Sequence, residues 1–182
     1  MYCKRLIDKY LKEWASRDIH KPLLLRGARQ VGKSTAVQEL SKKFDTFVEI
    51  NFEKQPKYKA LFRDDLDVNR IVPQISAMYG TSIRPGKTLL FLDEIQECPE
   101  AIMALRFFKE DMPELHVIAA GSLLEFALRE LPTFGVGRIH SMFMYPMTFD
   151  EFREANGQQL LIEARNKASI DNPLPEPLHD KL

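Results

Sequence analysis

The chain has 182 residues, 45% hydrophobic and 29% charged, enough for one globular domain with a sizeable core. Lysines plus arginines equal aspartates plus glutamates at 26 each, which gives no general pull toward nucleic acid or anionic membrane and leaves open a local basic face. Cys3 and Cys98 form no CxxC pair, His20, His116, His140 and His179 show no metal-ligand spacing, and no apolar run reaches signal-peptide or membrane-span length, so structural zinc and membrane insertion lack support and a reducing cytoplasm is the expected location.

The first element is an amphipathic helix over residues 3–15, where Leu6, Ile7, Tyr10, Leu11 and Trp14 recur at helical spacing and predict an inward-facing apolar stripe. Pro22-Leu23-Leu24-Leu25 is a short apolar strand ending at Gly27, and Ala36, Val37, Leu40 and Phe44 follow at helical spacing. Phe47–Phe52 alternates as a strand, and residues 57–79 read as helical with a break near Asp64-Asp65. After a turn at Pro85-Gly86, Thr88–Leu92 is a wholly apolar strand, then a helix follows Pro99 with Ile102, Leu105 and Phe108–Met112 turned to the core. Val117-Ile118-Ala119-Ala120 is another apolar strand ending in Gly121-Ser122, Ile139–Tyr145 is strand-like, and a helix begins at Phe149. Continuous apolar strands are covered on both faces, as in parallel sheets flanked by helices. The expected fold is α/β, a three-layer sandwich with a mostly parallel sheet of about five strands and helices on both faces. Residues 1–170 read as one domain with a core over 22–156. The tail 171–182 reads as a proline-punctuated linker running into a helix that stops after a turn, which predicts a piece of a longer protein.

Residues Gly27, Ala28, Arg29, Gln30, Val31, Gly32, Lys33 and Ser34 match GxxxxGK followed by Ser or Thr. A random chain of this length matches about once in a hundred times or less, and here an apolar strand precedes the motif and a helix follows it. Gly27 and Gly32 let the backbone curl so that N–H groups point at phosphate oxygens, and the helix N-terminus adds its positive end. Lys33 is expected to reach the β- and γ-phosphates of ATP, Ser34 to ligate Mg2+, and Thr35 to contact the α-phosphate.

Asp93 and Glu94 follow the apolar strand LLFL, at the edge where open parallel sheets bind ligands. Asp93 is expected beside Ser34 as a magnesium ligand, and Glu94 as the general base for water attacking the γ-phosphate. Ser122 ends the next strand, where it is a candidate catalytic residue that senses the γ-phosphate or positions water. It also opens a capping box with Glu125, and both roles can hold. Thr148–Glu151 is a second capping box, read as structural. Arg138 is a candidate transition-state arginine for its own site or a neighbour's, against the simpler reading of an ordinary ion pair. Tyr10 and Trp14 are weighed as adenine-stacking residues against a place in the core.

Taken in order, LLLRGARQVGKS, LLFLDEIQ, AAGSLLEF and GR followed by MYPMTFDEF resemble a prokaryotic group of AAA-type ATPases with a C-terminal domain of unknown function. Gln96, Gly121-Ser122 and Tyr145–Phe149 narrow the resemblance beyond P-loop proteins in general. It implies strand order 5-1-4-3-2, the roles given above for Lys33, Ser34, Asp93 and Glu94, and Ser122 as the sensor, where many AAA proteins have Asn. It also implies further helical and C-terminal domains through which the protein would self-associate or meet a partner protein. Mg-dependent ATP hydrolysis, weak in this segment alone, is the expected activity. A GTPase reading fails because no DxxG follows Asp93 and Asn166-Lys167 continues Ala-Ser. A small-molecule kinase, with Arg129 and Arg138 as thin support for a lid, and an ATP-gated switch with little turnover stay open.

Overall fold

The computed structural model describes residues 2–122, 124, 127–128 and 137–181. Five strands form one parallel sheet in the order β2-β3-β4-β1-β5, the predicted order read from the other edge. They are β1 (Leu23–Arg26), β2 (Thr46–Asn51), β3 (Thr88–Asp93), β4 (His116–Ala120) and β5 (His140–Phe143). The inner strands β3 and β4 are buried at every position, whereas β5, on an edge, alternates between half-buried and exposed.

Because successive side chains of a strand point to opposite faces, each strand feeds two cores. Leu24, Val48, Ile50, Leu90, Leu92, Val117 and Ala119 face a layer made by a 3-10 turn (Pro56–Phe62), α3 (Val68–Tyr79) and α4 (Pro99–Asp111). Leu23, Leu25, Leu89, Phe91, Ile118 and Ala120 face α1 (Ile7–Ala15) and α2 (Lys33–Ser41). This is the expected three-layer sandwich. Beyond β5 come α5 (Phe149–Ala155), α6 (Gln159–Lys167) and the single turn α7 (Glu176–His179). Among the described residues, no helix is long and apolar enough to cross a membrane.

Local chemistry sets the element ends. The break expected near Asp64-Asp65 falls between the 3-10 turn and α3, where Asp65 grips Arg70 at 2.8 Å and Asp67 caps α3 by accepting from the Asn69 N–H. The inward stripe of the first helix is narrower than the spacing predicts. Ile7, Leu11 and Trp14 are buried, but Leu6 and Tyr10 are 63% and 55% exposed, because α1 starts one residue after Leu6 and turns Tyr10 outward. Trp14 belongs to the core and cannot stack on a base. Its indole N–H donates to the Lys21 carbonyl at 2.8 Å, and its ring meets His20 and His116 edge-on. Those two imidazoles stack 3.9 Å apart, and burial, with His20 adding to it, pushes His116 down to about 4, so it is neutral at physiological pH.

Candidate nucleotide-binding site

The phosphate loop leaves the carboxyl end of β1 and enters α2. Gly27 has φ 145° and its Cα lies against the Met144 carbonyl, so a β-carbon there would overlap the backbone leaving β5. That close approach is held by the Met144 N–H donating to Arg26 O at 2.8 Å. Gly32 is the N-cap of α2 with φ 98°, and Gln30 also takes a positive φ, 64°. The first internal bond of α2 runs from the Ala36 N–H to Gly32 O. The N–H groups of Lys33, Ser34 and Thr35 are therefore in the turn that has no intrahelical acceptor, and they form the donor end of the site.

Lys33 does not extend into solvent, as a lysine waiting for phosphate would. It is 8% exposed, and its ammonium donates to Gly27 O and Ala28 O, each at 2.8 Å. Burial lowers its pKa, and the nearby negative charges of Glu94 and then Asp93 act in the opposite direction. The Ser34 hydroxyl donates to Asp93 Oδ2 at 3.1 Å, bringing together two residues 59 positions apart. Burial raises the Asp93 carboxyl, while the Ser34 hydroxyl, the Glu94 N–H and Asn51 favour its ionised form. Thr35 lies exposed on the first turn of α2, and Ala28, Arg29 and Gln30 are exposed along the loop.

Asn51 is a site residue the sequence did not single out. It ends β2 in register with Asp93, and its amide donates to the same Oδ2 at 3.1 Å. Its only sequence signal is its place as the polar last residue of a strand. Glu94 sits at φ 49°, ψ 47°, a left-handed conformation unusual for a side-chain-bearing residue. Its Oε2 accepts the amide of Gln96 at 2.6 Å.

Ser122 lines a cavity of about 310 Å³ at the ends of β1, β4 and β5, together with Gly27, Ala28 and Gly121. It thus lies next to the phosphate loop, whereas Glu125, its capping-box partner, and Arg129 fall outside the described residues. Arg138 is not brought to this site. It precedes β5 at the amino-terminal edge of the sheet, opposite the phosphate loop, and pairs with Glu110 at 2.5 Å. The ordinary ion pair is what the structure displays. Tyr10 is at the margin of a cleft of about 850 Å³ lined also by Arg5, Met144 and Tyr145.

Arg5 is the second residue missed. It donates to Val31 O in the phosphate loop at 2.8 Å, to Tyr145 O at 2.8 Å, and to Glu151 Oε1 at 3.0 Å. Glu151 completes the expected capping box with Thr148 and spends its other oxygen on Arg5 and on the Leu6 N–H. Burial pushes the Glu151 carboxyl up, but the Thr148 and Leu6 N–H groups and Arg5 together leave it below the usual glutamate range. Its contribution to stability is therefore present above that range and lost as the pH falls through the lowered value. Arg5 and Glu151 are both buried, so Arg5→Met leaves a carboxylate and two carbonyls without their cation. It is expected to destabilise the protein by about 3 kcal/mol in urea unfolding, the scale for a broken buried pair. A loss under about 1 kcal/mol would show that Arg5 does not tie the loop to α1 and α5.

No curated protein matches the chain. Among solved structures, a Walker-type ATPase of Pyrococcus abyssi aligns over 99% of this chain and 62% of its own, with 17% identity and a TM-score of 0.54. The structure of Drosophila ORC bound to DNA aligns over 87% of this chain and 47% of its own, with 15% identity and a TM-score of 0.56. At these identities the likeness is one of fold, and the chain spans less than two thirds of either structure's length. A family model described as an AAA domain matches residues 19–153, a stretch that takes in all five strands, the phosphate loop and the Asp93-Glu94 pair. The chain belongs to the AAA domain family, and its fold is that of an AAA-type P-loop ATPase.

Proposed function

We propose that the chain binds Mg-ATP at Gly27–Ser34 and hydrolyses it. The observation that carries this reading is the meeting of Ser34 Oγ and Asp93 Oδ2 at 3.1 Å, beside the Lys33 ammonium, at the carboxyl end of a parallel sheet. A hydroxyl and a carboxylate are hard oxygen donors, the set that suits Mg2+, which takes one or two protein oxygens and fills the rest with phosphate and water. Bound there, the ion would neutralise charge on the β- and γ-phosphates.

The chain's own residues then divide the work. The loop N–H groups and Lys33 hold the phosphates, and Asn51 keeps the Asp93 carboxylate turned toward Ser34. Glu94, next to Asp93 at the carboxyl end of β3, is the general base for the attacking water. Ser122, beside the loop, is the candidate for contact with the γ-phosphate or that water. Arg138 has no part in this site, given its place at the opposite edge. Residues 1–170 are proposed as one ATPase unit. Basic and acidic residues balance at 26 each, so net charge adds no support for a nucleic-acid partner. Free Cys3 and Cys98, the latter a buried thiol pushed up to about 11 by burial, fit a reducing cytoplasm.

The test is the change in melting temperature on adding ATP with Mg2+ or with EDTA, paired with phosphate release. Wild-type protein is expected to gain about 2–3 kcal/mol at a hundredfold excess of Mg-ATP over Kd. Asp93→Asn should lose the part of that gain that depends on Mg2+ while retaining the part that EDTA leaves. No stabilisation by Mg-ATP in the wild type would remove the proposal altogether.

A further inference from the structure

We propose that Gln96 is a positioning residue that orients Glu94 toward the phosphate site, with Gly121 at the end of β4 providing the room it needs. The inference rests on Glu94 being the base. Glu94 needs such support because its backbone sits in the left-handed region just after β3, where the adjoining 3-10 turn (Ile95–Glu97) leads the chain away. The carboxylate is tethered from two residues on, by the Gln96 amide at 2.6 Å to Oε2. A carboxylate only accepts, so the amide must present its nitrogen to Glu94, and its oxygen is turned the other way.

That oxygen lies against Gly121. A β-carbon built on Gly121 would fall on Gln96 Oε1, and no side chain other than hydrogen fits there while the amide stays in place. Gly121 has no positive φ, so its backbone does not need glycine; the Gln96 amide does, with Leu124 Cγ a lesser constraint at 3.0 Å from the same β-carbon. Gln96 Oε1 is buried with no hydrogen-bond partner among the described residues. An unpaired buried acceptor is unfavourable, and an amide adopts that arrangement where its N–H bond to a carboxylate outweighs the loss. So held, Glu94 follows directly on Asp93, whose carboxylate meets Ser34 at the head of α2. One oxygen is engaged by Gln96; the other accepts no hydrogen bond among the described residues and is the one to take a proton from water. Gly121 is followed by Ser122, so the amide also joins the base to the strand end that borders the loop cavity.

Gln96→Met keeps the length and packing of the side chain and removes the donor. Steady-state ATP hydrolysis by the whole chain is expected to show kcat lowered roughly 10-fold or more, the lower end of the loss when a supporting hydrogen bond is removed, with KM within about twofold. Gly121→Ala, which displaces the amide, should reproduce the kcat loss if it folds. The deciding measurement is the cycle of Gln96→Met with Glu94→Gln. Gln96 acts through the carboxylate, so the double variant should be no slower than Glu94→Gln alone. An unchanged kcat in Gln96→Met, a loss carried by KM, or losses that multiply in the double variant overturn the inference. If Glu94→Gln alone leaves turnover intact, it is the assignment of the base that fails instead.

Discussion

Lys33→Ala is expected to leave the protein folded and to take away measurable Mg-ATP affinity. The lysine ammonium now bridges Gly27 O and Ala28 O, so it is held against the loop and would exchange these carbonyls for phosphate oxygens. Charge-assisted bonds of this kind are worth about 1.5–3 kcal/mol each, and two of them correspond to a loss of roughly 10² in affinity or more. Because Lys33 is buried, the substitution also touches the free protein, releasing two loop carbonyls and removing a positive charge that Glu94 and Asp93 favour. A stability change of about 1–2 kcal/mol is therefore expected, well short of unfolding. The readout separates the two effects. At a concentration a hundredfold above the wild-type Kd, Mg-ATP adds about 2.7 kcal/mol to the wild type, while a hundredfold weaker site gains only about 0.4 kcal/mol. A variant that gains as much as the wild type would show that the phosphates bind elsewhere.

What could be read from the sequence follows from the range over which each feature is specified. The runs Pro22–Leu25, Thr88–Leu92 and Val117–Ala120 mark three of the strands because both faces of an inner parallel strand are buried. The phosphate loop is local, eight residues whose types are each demanded by backbone shape or charge. Asp93 could be placed because its strand end is defined by the run before it. Asn51 could not, since its partner is 42 residues away and a polar residue after a strand looks like any turn. Arg5 was more remote still, 146 residues from Glu151, and three of its contacts are to groups every residue or helix cap offers. Glu151 is legible as a cap, but a carboxylate has two oxygens, and the second one's use depends on tertiary packing alone. The same limit explains Lys33: its motif says what it binds, while its burial under Gly27 and Ala28 depends on how the loop closes.

Glu94→Gln should retain Mg-ATP binding and lower hydrolysis by roughly 10²-fold or more, the scale of a lost general base. The substitution suits this site because it changes the chemistry and little else. Glutamine has the same length, and its amide oxygen can still accept the Gln96 N–H that now meets Glu94 Oε2 at 2.6 Å. The left-handed backbone at φ 49° is no harder for glutamine than for glutamate, since neither branches at the β-carbon. Lys33 keeps Asp93 as a counter-charge, and the contact of Ser34 with Asp93 at 3.1 Å does not involve residue 94. Removing a negative charge beside the phosphates should, if anything, tighten ATP. The quantity to compare is phosphate released per bound ATP in a single turnover, with Kd measured separately. Reduced turnover at equal or tighter affinity assigns the base. Equal turnover per bound ATP would mean that water is activated by another group, and Ser122, next to the loop at the end of β4, would be the first to replace.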